Sequence, residues 1–129
     1  MATEKDTKQR EIKFRAKGVD GRWWYGEDNP TTVLRRVSLA TFFMNLAAGV
    51  LDPKTLGQYI DRKDTNSKDI YEGDLVRPFY DVAGYGGTYK VYYSQGAWEP
   101  FSDNCDLDHT YRYKINGNIH DNPEILEKS

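Results

Sequence analysis

Three groups of residues could do chemistry. Glu72 and Asp74 lie two apart across Gly73, His109 follows Asp108, and His120 precedes Asp121. Carboxylates and imidazoles are the ligands of a hydrolytic metal centre, where oxygen and nitrogen must converge on one ion at about 2.0–2.2 Å. Their spacing does not impose that convergence, since no HExxH, paired CxxC or EF-hand arrangement occurs in the chain. The histidines therefore read as surface or hydrogen-bonded structural residues, and a metal-dependent hydrolase is the third choice of function. Neither a metal nor another cofactor is expected.

Two further stretches could be reactive. Cys105 sits in "SDNCDLD", where neighbouring acids raise a thiol's pKa while a nucleophile needs it lowered. "GYGG" at 84–87 lacks the Lys-Ser/Thr ending of a phosphate loop, and no helical pattern follows it, so it reads as a surface loop.

Aromatic chemistry offers another possibility. Residues 71–93 hold six tyrosines, and small β proteins can stack single-stranded bases on such rings. Such a groove also needs cations, and only Arg77 and Lys90 are near in sequence. Residues 1–40 carry nine Lys and Arg against six acids, the rest nine against fourteen, for a net charge of -2. The tyrosines are therefore expected mainly in the core, through cross-strand packing, and base binding ranks second.

The elements that must position these residues follow from period and turn chemistry. In "EIKFRAK", Ile12, Phe14 and Ala16 alternate with Lys13, Arg15 and Lys17, which predicts a half-buried strand. Asp20-Gly21 then turns the chain into the partner strand "RWWYG", with Trp23 and Tyr25 on one face. "TTVLRRV" reads as a strand. From Ser38, Leu39, Phe42, Phe43, Leu46 and Ala47 recur at helical spacing, with Ser38 as N-cap and Gly49 closing the end, a helix near 39–48. "LGQYI" and "DIY" make a hairpin around "DRKDTNSK". Pro78 ends the next strand, residues 78–88 form a loop, "TYKVYYS" and "AWEPF" resume strand structure, and "YRYKI" with "GNIH" supplies the last strands. Asp121 or Asn122 with Pro123 opens a terminal helical turn.

The 129 residues suit one domain over 10–129 behind a disordered leader at 1–9, with any subdivision expected near 50–56. The leader lacks a secretory apolar core, one cysteine makes no internal disulfide, and no stretch approaches the ~20 apolar residues of a membrane span. A cytoplasmic protein without a membrane partner is expected.

Together, "REIKFRA", "TLGQYI", "KDIYEGDLV" and "NGNIHDNPEIL" resemble the YopX family of bacteriophage and prophage proteins, in order and over residues 10–126. Two positions depart from the family pattern, which places a glycine near Asp61 and Asn-Gly where this chain has Asn66-Ser67. The resemblance implies a mainly β protein, α+β with little helix, with a small SH3-like β barrel in its later part, working in the bacterial host of a phage or prophage. It supplies no catalytic residue. The positions it specifies are Gly57, Gln58 and Tyr59; Ile70, Tyr71, Glu72, Gly73, Asp74 and Val76; and Gly117, Asn118, Ile119, Asn122 and Pro123. Structural roles explain them: backbone freedom at Gly73 and Gly117, and a turn-closing acceptor at Asp74. The leading expectation is a non-enzymatic interaction module, a homo-oligomer or the partner of a phage or host protein, since small barrels offer strand edges for pairing.

Overall fold

The alternating opening stretch forms β1 (Lys13–Lys17), which pairs antiparallel with β2 (Trp23–Glu27), Lys17 opposite Trp23 and Lys13 opposite Glu27. In the turn between them, the Asp20 carboxylate accepts the Arg22 N–H at 3.0 Å. The computed structural model describes residues 11–28, 30, 33–78, 87–102 and 109–127. The leader at 1–9, Tyr80, Tyr85, most of the 78–88 loop, Cys105 and Asp108 lie outside the described residues.

The strand read in "TTVLRRV" is β3 (Arg36–Ser38), parallel to β2. It runs straight into α1 (Leu39–Ala47), where the Ser38 hydroxyl accepts the Thr41 N–H at 3.2 Å. At the other end Gly49 has φ +80° and donates to the Leu46 carbonyl at 3.2 Å. A short 3-10 turn, Pro53–Thr55, leads into β4 (Gly57–Lys63), which pairs antiparallel with β5 (Asp69–Tyr71). The resulting five-stranded sheet has the order β3-β2-β1-β4-β5.

Beyond β5 the chain changes sheet. Strand β6 (Asp74–Pro78) pairs antiparallel with β7 (Tyr89–Lys90) and with β10 (Tyr113–Asn118), while β8 (Tyr92–Ser94) and β9 (Ala97–Glu99) form a separate two-stranded ribbon. A helical turn, α2 (Glu124–Glu127), closes the described chain. The protein is mainly β, but the barrel expectation is corrected: the sheets formed by the described residues are open. The break falls at Val91, whose N–H donates to the Asp74 carbonyl at 2.8 Å while its own carbonyl accepts from Gly73 at 2.9 Å. Fully buried there, Val91 divides "TYKVYYS" into two short strands that join different sheets.

Two apolar clusters hold these layers. Ala16, Phe42 and Leu51, with Phe14, Trp24, Val37, Leu46 and Leu56, fill the space between α1 and the first sheet. Ile60, Ile70, Val76, Val91, Phe101 and Tyr113 form the second, with Trp98 and Ile115 against it. Full burial of one such large side chain contributes about 1.5–3 kcal/mol.

Candidate functional site

The charged face of β1 is covered, where alternation predicts solvent. Arg15, opposite Tyr25 on β2, is 7% exposed, and its Nη2 donates to Asp74 Oδ1 at 2.8 Å. Its guanidinium lies over the Trp23 ring at 4.6 Å and the Tyr71 ring at 4.9 Å, close enough for cation–π attraction. The same face places Lys13 against Asp69 at 3.0 Å and Lys17 against Asp121, whose Oδ2 also accepts from Trp23 Nε1 at 2.8 Å.

Asp74 receives this guanidinium because the corner before it is tightly built. Its Oδ2 accepts the Tyr71 N–H at 2.7 Å, closing the turn through Glu72 and Gly73. Gly73 sits at φ +93° and Gly117 at φ +135°, conformations that cost a residue with a Cβ. The corner is pinned from three sides: Glu72 donates to the Gln58 carbonyl at 2.8 Å, Gly73 to Val91 at 2.9 Å, and the Gly73 carbonyl accepts from Ile119 at 2.9 Å. A Cβ on Gly57 would stand 2.5 Å from the Glu72 carbonyl oxygen, so the family's glycine there lets β4 approach the corner. Asn118, opposite Asp74 on β6, accepts the N–H groups of His120 and Asp121 at 2.9 Å each, and Asn122 accepts the Asn118 N–H at 3.3 Å. Among the remaining family positions, Tyr59, Ile70 and Val76 are buried. Pro123 immediately precedes α2. The four motif strings thus meet at one corner, which carries the chain from the first sheet to the second.

Beside this corner opens a cleft of about 520 Å³ between the first sheet and β10. Arg15, Arg36, Lys63 and Lys68 face it, with Asp69 and Asp74 among them and the rings of Tyr25 and Tyr71 in its walls, 5.9 Å apart. Arg36 lies over Tyr25 at 4.6 Å and gives Nη1 to Glu27 at 3.2 Å. Burial pushes the Asp69 carboxyl up, but hydrogen bonds from Lys63 and Lys13 outweigh it and hold the group below its ordinary value. For Asp74 burial wins over the Arg15 charge and the Tyr71 N–H, and its carboxyl is raised. The Tyr59 and Tyr71 hydroxyls are likewise pushed up, first by burial and then by the Asp69 charge.

The expectation that only Arg77 and Lys90 could serve the tyrosines is therefore corrected. Arg15 of β1 lies over Tyr71, Arg36 of β3 over Tyr25 and Lys63 of the β4–β5 hairpin 6.0 Å from the Tyr59 ring. A sequence signal for this existed in the alternation of "EIKFRAK" beside "RWWYG", which puts Arg15 and Lys17 on the face of Trp23 and Tyr25; its covering by another sheet was not encoded locally. Burial of the tyrosines also divides. Tyr59, Tyr71 and Tyr113 are buried, whereas Tyr89, Tyr92, Tyr93 and Tyr111 are 36–54% exposed.

Among the described residues the carboxylate and histidine groups do not form one metal-type cluster. Asp74 is engaged by Arg15 and Tyr71, and His109 stacks on Tyr111 with centroids 5.7 Å apart. His120 lies near Gly73 and 5.9 Å from Trp23, its pKa lowered by burial and by the Arg15 charge. Among the described residues no group of three or more His, Cys, Asp or Glu could hold a metal ion. No helix among them is long and apolar enough to cross a membrane.

Open sheets meeting at a motif-built corner define a mainly β protein whose distinctive chemistry is a cationic, tyrosine-lined cleft. The family described as "YopX protein" matches residues 13–127, and the chain belongs to that family. Protein EF1440 from Enterococcus faecalis, known from a crystal structure, shares the fold: TM-score 0.56 at 21% identity, covering 92% of this chain and 99% of that one. No curated protein matches the chain.

Proposed function

We propose that the protein is a non-enzymatic interaction module that works as a homo-oligomer in the cytoplasm of a bacterium carrying a phage or prophage. The observation that carries this reading is the outer face of α1. Phe42 turns inward and is fully buried, while Met44 is 71% exposed and Phe43 remains 39% exposed although it packs edge-on against Phe14 at 5.0 Å. Val33 and Leu34, just before β3, are also exposed. Large apolar side chains at a protein surface are the usual material of contacts between copies. The non-enzymatic part rests on the corner carboxylate, whose oxygens are taken up by Arg15 and the Tyr71 N–H. Family membership supports the phage or prophage setting.

Sedimentation of the full chain tests the reading. The wild type is expected to be oligomeric at roughly 100 μM, an ordinary range for weak association, and Met44→Glu to be a folded monomer. A wild type that stays monomeric overturns it. A second reading, single-stranded nucleic-acid binding, draws on exposed rings that carry cations: Lys90 lies over Tyr92 at 5.4 Å and Arg112 over Tyr111 at 5.7 Å. It requires retardation of an oligonucleotide at low salt, lost steeply as salt rises.

A further inference from the structure

The cleft beside the corner differs in chemistry from the apolar face of α1. Four cationic side chains stand around it against two carboxylates, a surplus of two positive charges in its wall. Lys63 and Lys13 both contact Asp69, Lys13 pairing also with Glu11 at 3.0 Å, and Lys68 is exposed with no ion-pair partner among the described residues. Two polar side chains in the wall are more than nine-tenths buried, Arg15 at 7% exposure and Tyr71 at 3%. Yet Arg15 Nε and the Tyr71 hydroxyl have no hydrogen-bond partner among the described residues. Buried donors are ordinarily paired, and these two atoms are themselves closed off from solvent behind the wall, so the cations at its surface are what a ligand meets.

We propose that this cleft is a phosphate-binding site for a small phosphorylated molecule of nucleotide size. Guanidinium forks match phosphate oxygens in geometry, and a phosphate monoester carries about −1.5 to −2 charges at neutral pH, which the wall's surplus balances. A volume of about 520 Å³ falls within the range of roughly 300–1,000 Å³ that small-molecule sites occupy. Asp69 and Asp74 decide between a small ligand and a polymer. Set among the cations, they repel a continuous phosphate backbone, and the half-buried Asp69 can accept a hydrogen bond from a hydroxyl of a ligand whose charge sits at one end, whereas Asp74 is buried and engaged by Arg15 and the Tyr71 N–H. The site does not depend on the oligomer.

Calorimetric titration and thermal shift on the full chain at low salt test the proposal, with adenosine monophosphate, inorganic phosphate and adenosine as probes. The expected result is binding and a raised Tm with the monophosphate, competition by inorganic phosphate, and no binding of adenosine. Lys68→Ala removes an exposed, unpaired charge and Arg36→Gln a half-buried one, so each variant's own melting curve serves as the folding check. Each should weaken the monophosphate by at least about tenfold, the loss of one charge-assisted contact. The proposal is overturned by the absence of phosphate or monophosphate binding to the folded wild type, or by affinity unchanged in both variants. Equal binding of adenosine overturns the phosphate assignment, and binding of phosphate with the monophosphate excluded overturns the size assignment. An oligonucleotide that binds and is lost in these variants, while the monophosphate does not bind, assigns the cleft to a polymer instead.

Discussion

Asp74 shows how one side chain acquires a weight its local sequence does not display. As a turn-closing acceptor alone, its loss would cost about 0.5–2 kcal/mol. It also holds the guanidinium of Arg15 across a gap of 59 residues, with side-chain exposures of 3% and 8%. Removing one partner of a buried pair strands the other charge, so Asp74→Ala is expected to cost about 3–5 kcal/mol in urea unfolding. Adding Arg15→Met should recover part of that loss, and a single-mutant cost under about 1 kcal/mol would contradict the pair's role. The acid behaviour of Asp121 has the opposite origin. Hydrogen bonds from Lys17, Trp23 and Asn118 outweigh its partial burial and hold its carboxyl at about 2 against the ordinary 3.8. A folded pKa below the unfolded one contributes stability above the unfolded value, which disappears as the pH falls through the folded one. Tm should therefore drop between about pH 4 and pH 2, with a shallower slope in Asp121→Asn; identical slopes would show that Lys17 and Trp23 do not hold the charge. The raised carboxyl of Asp74 acts in the other sense, favouring the fold as the pH falls, and Asp69, also lowered, reinforces the acid loss.

At the scale of elements, the β4–β5 hairpin carries a sequence departure into the backbone. Where the resemblance places a glycine near Asp61 and an Asn-Gly pair at 66–67, this chain has Asp61 at φ +64° and Ser67 at φ +62°. The backbone keeps a left-handed conformation that costs a residue with a Cβ about 1–2 kcal/mol. Ser67→Gly is therefore expected to stabilise the protein by about 1 kcal/mol in chemical denaturation, and a loss of stability would mean that the serine side chain compensates. The hairpin's other anchor is Asp64, 3% exposed. It accepts the N–H groups of Asn66, Lys68 and Ile115 at 2.8–2.9 Å, tying the turn to β10. The Asp, Asn and Ser of "DRKDTNSK" signal a turn, but the third bond reaches 51 residues onward and leaves no local trace. Gly57→Ala should cost about 1–3 kcal/mol, because its Cβ meets a backbone oxygen that only movement of the corner can relieve.

At the scale of the whole molecule, helix α1 serves two surfaces. Its inner face fills the first core through Phe42 and Leu46, and its outer face presents Met44. Met44→Glu adds a charge to an exposed position, so Tm in dilute solution should move by no more than about 0.5 kcal/mol equivalent. The sedimentation coefficient should fall to that of a monomer. The same protein carries a cationic cleft on another face of β1, so ligand binding and self-association are separable by mutation.

Much of this fold is written in near neighbours. The β1–β2 hairpin, the Ser38 cap and Gly49 stop of α1, the β4–β5 turn and the Glu72-Gly73 corner depend on contacts within a few residues, which period and turn chemistry express directly. Openness of the sheets, the burial of Arg15 and the cleft depend on which faces meet. Arg15 reaches Asp74 across 59 positions and Trp23 reaches Asp121 across 98. A charged residue on an alternating strand has the same local pattern whether water or another sheet covers it. Tertiary packing alone made that choice, by supplying the carboxylate and rings that let a guanidinium leave solvent.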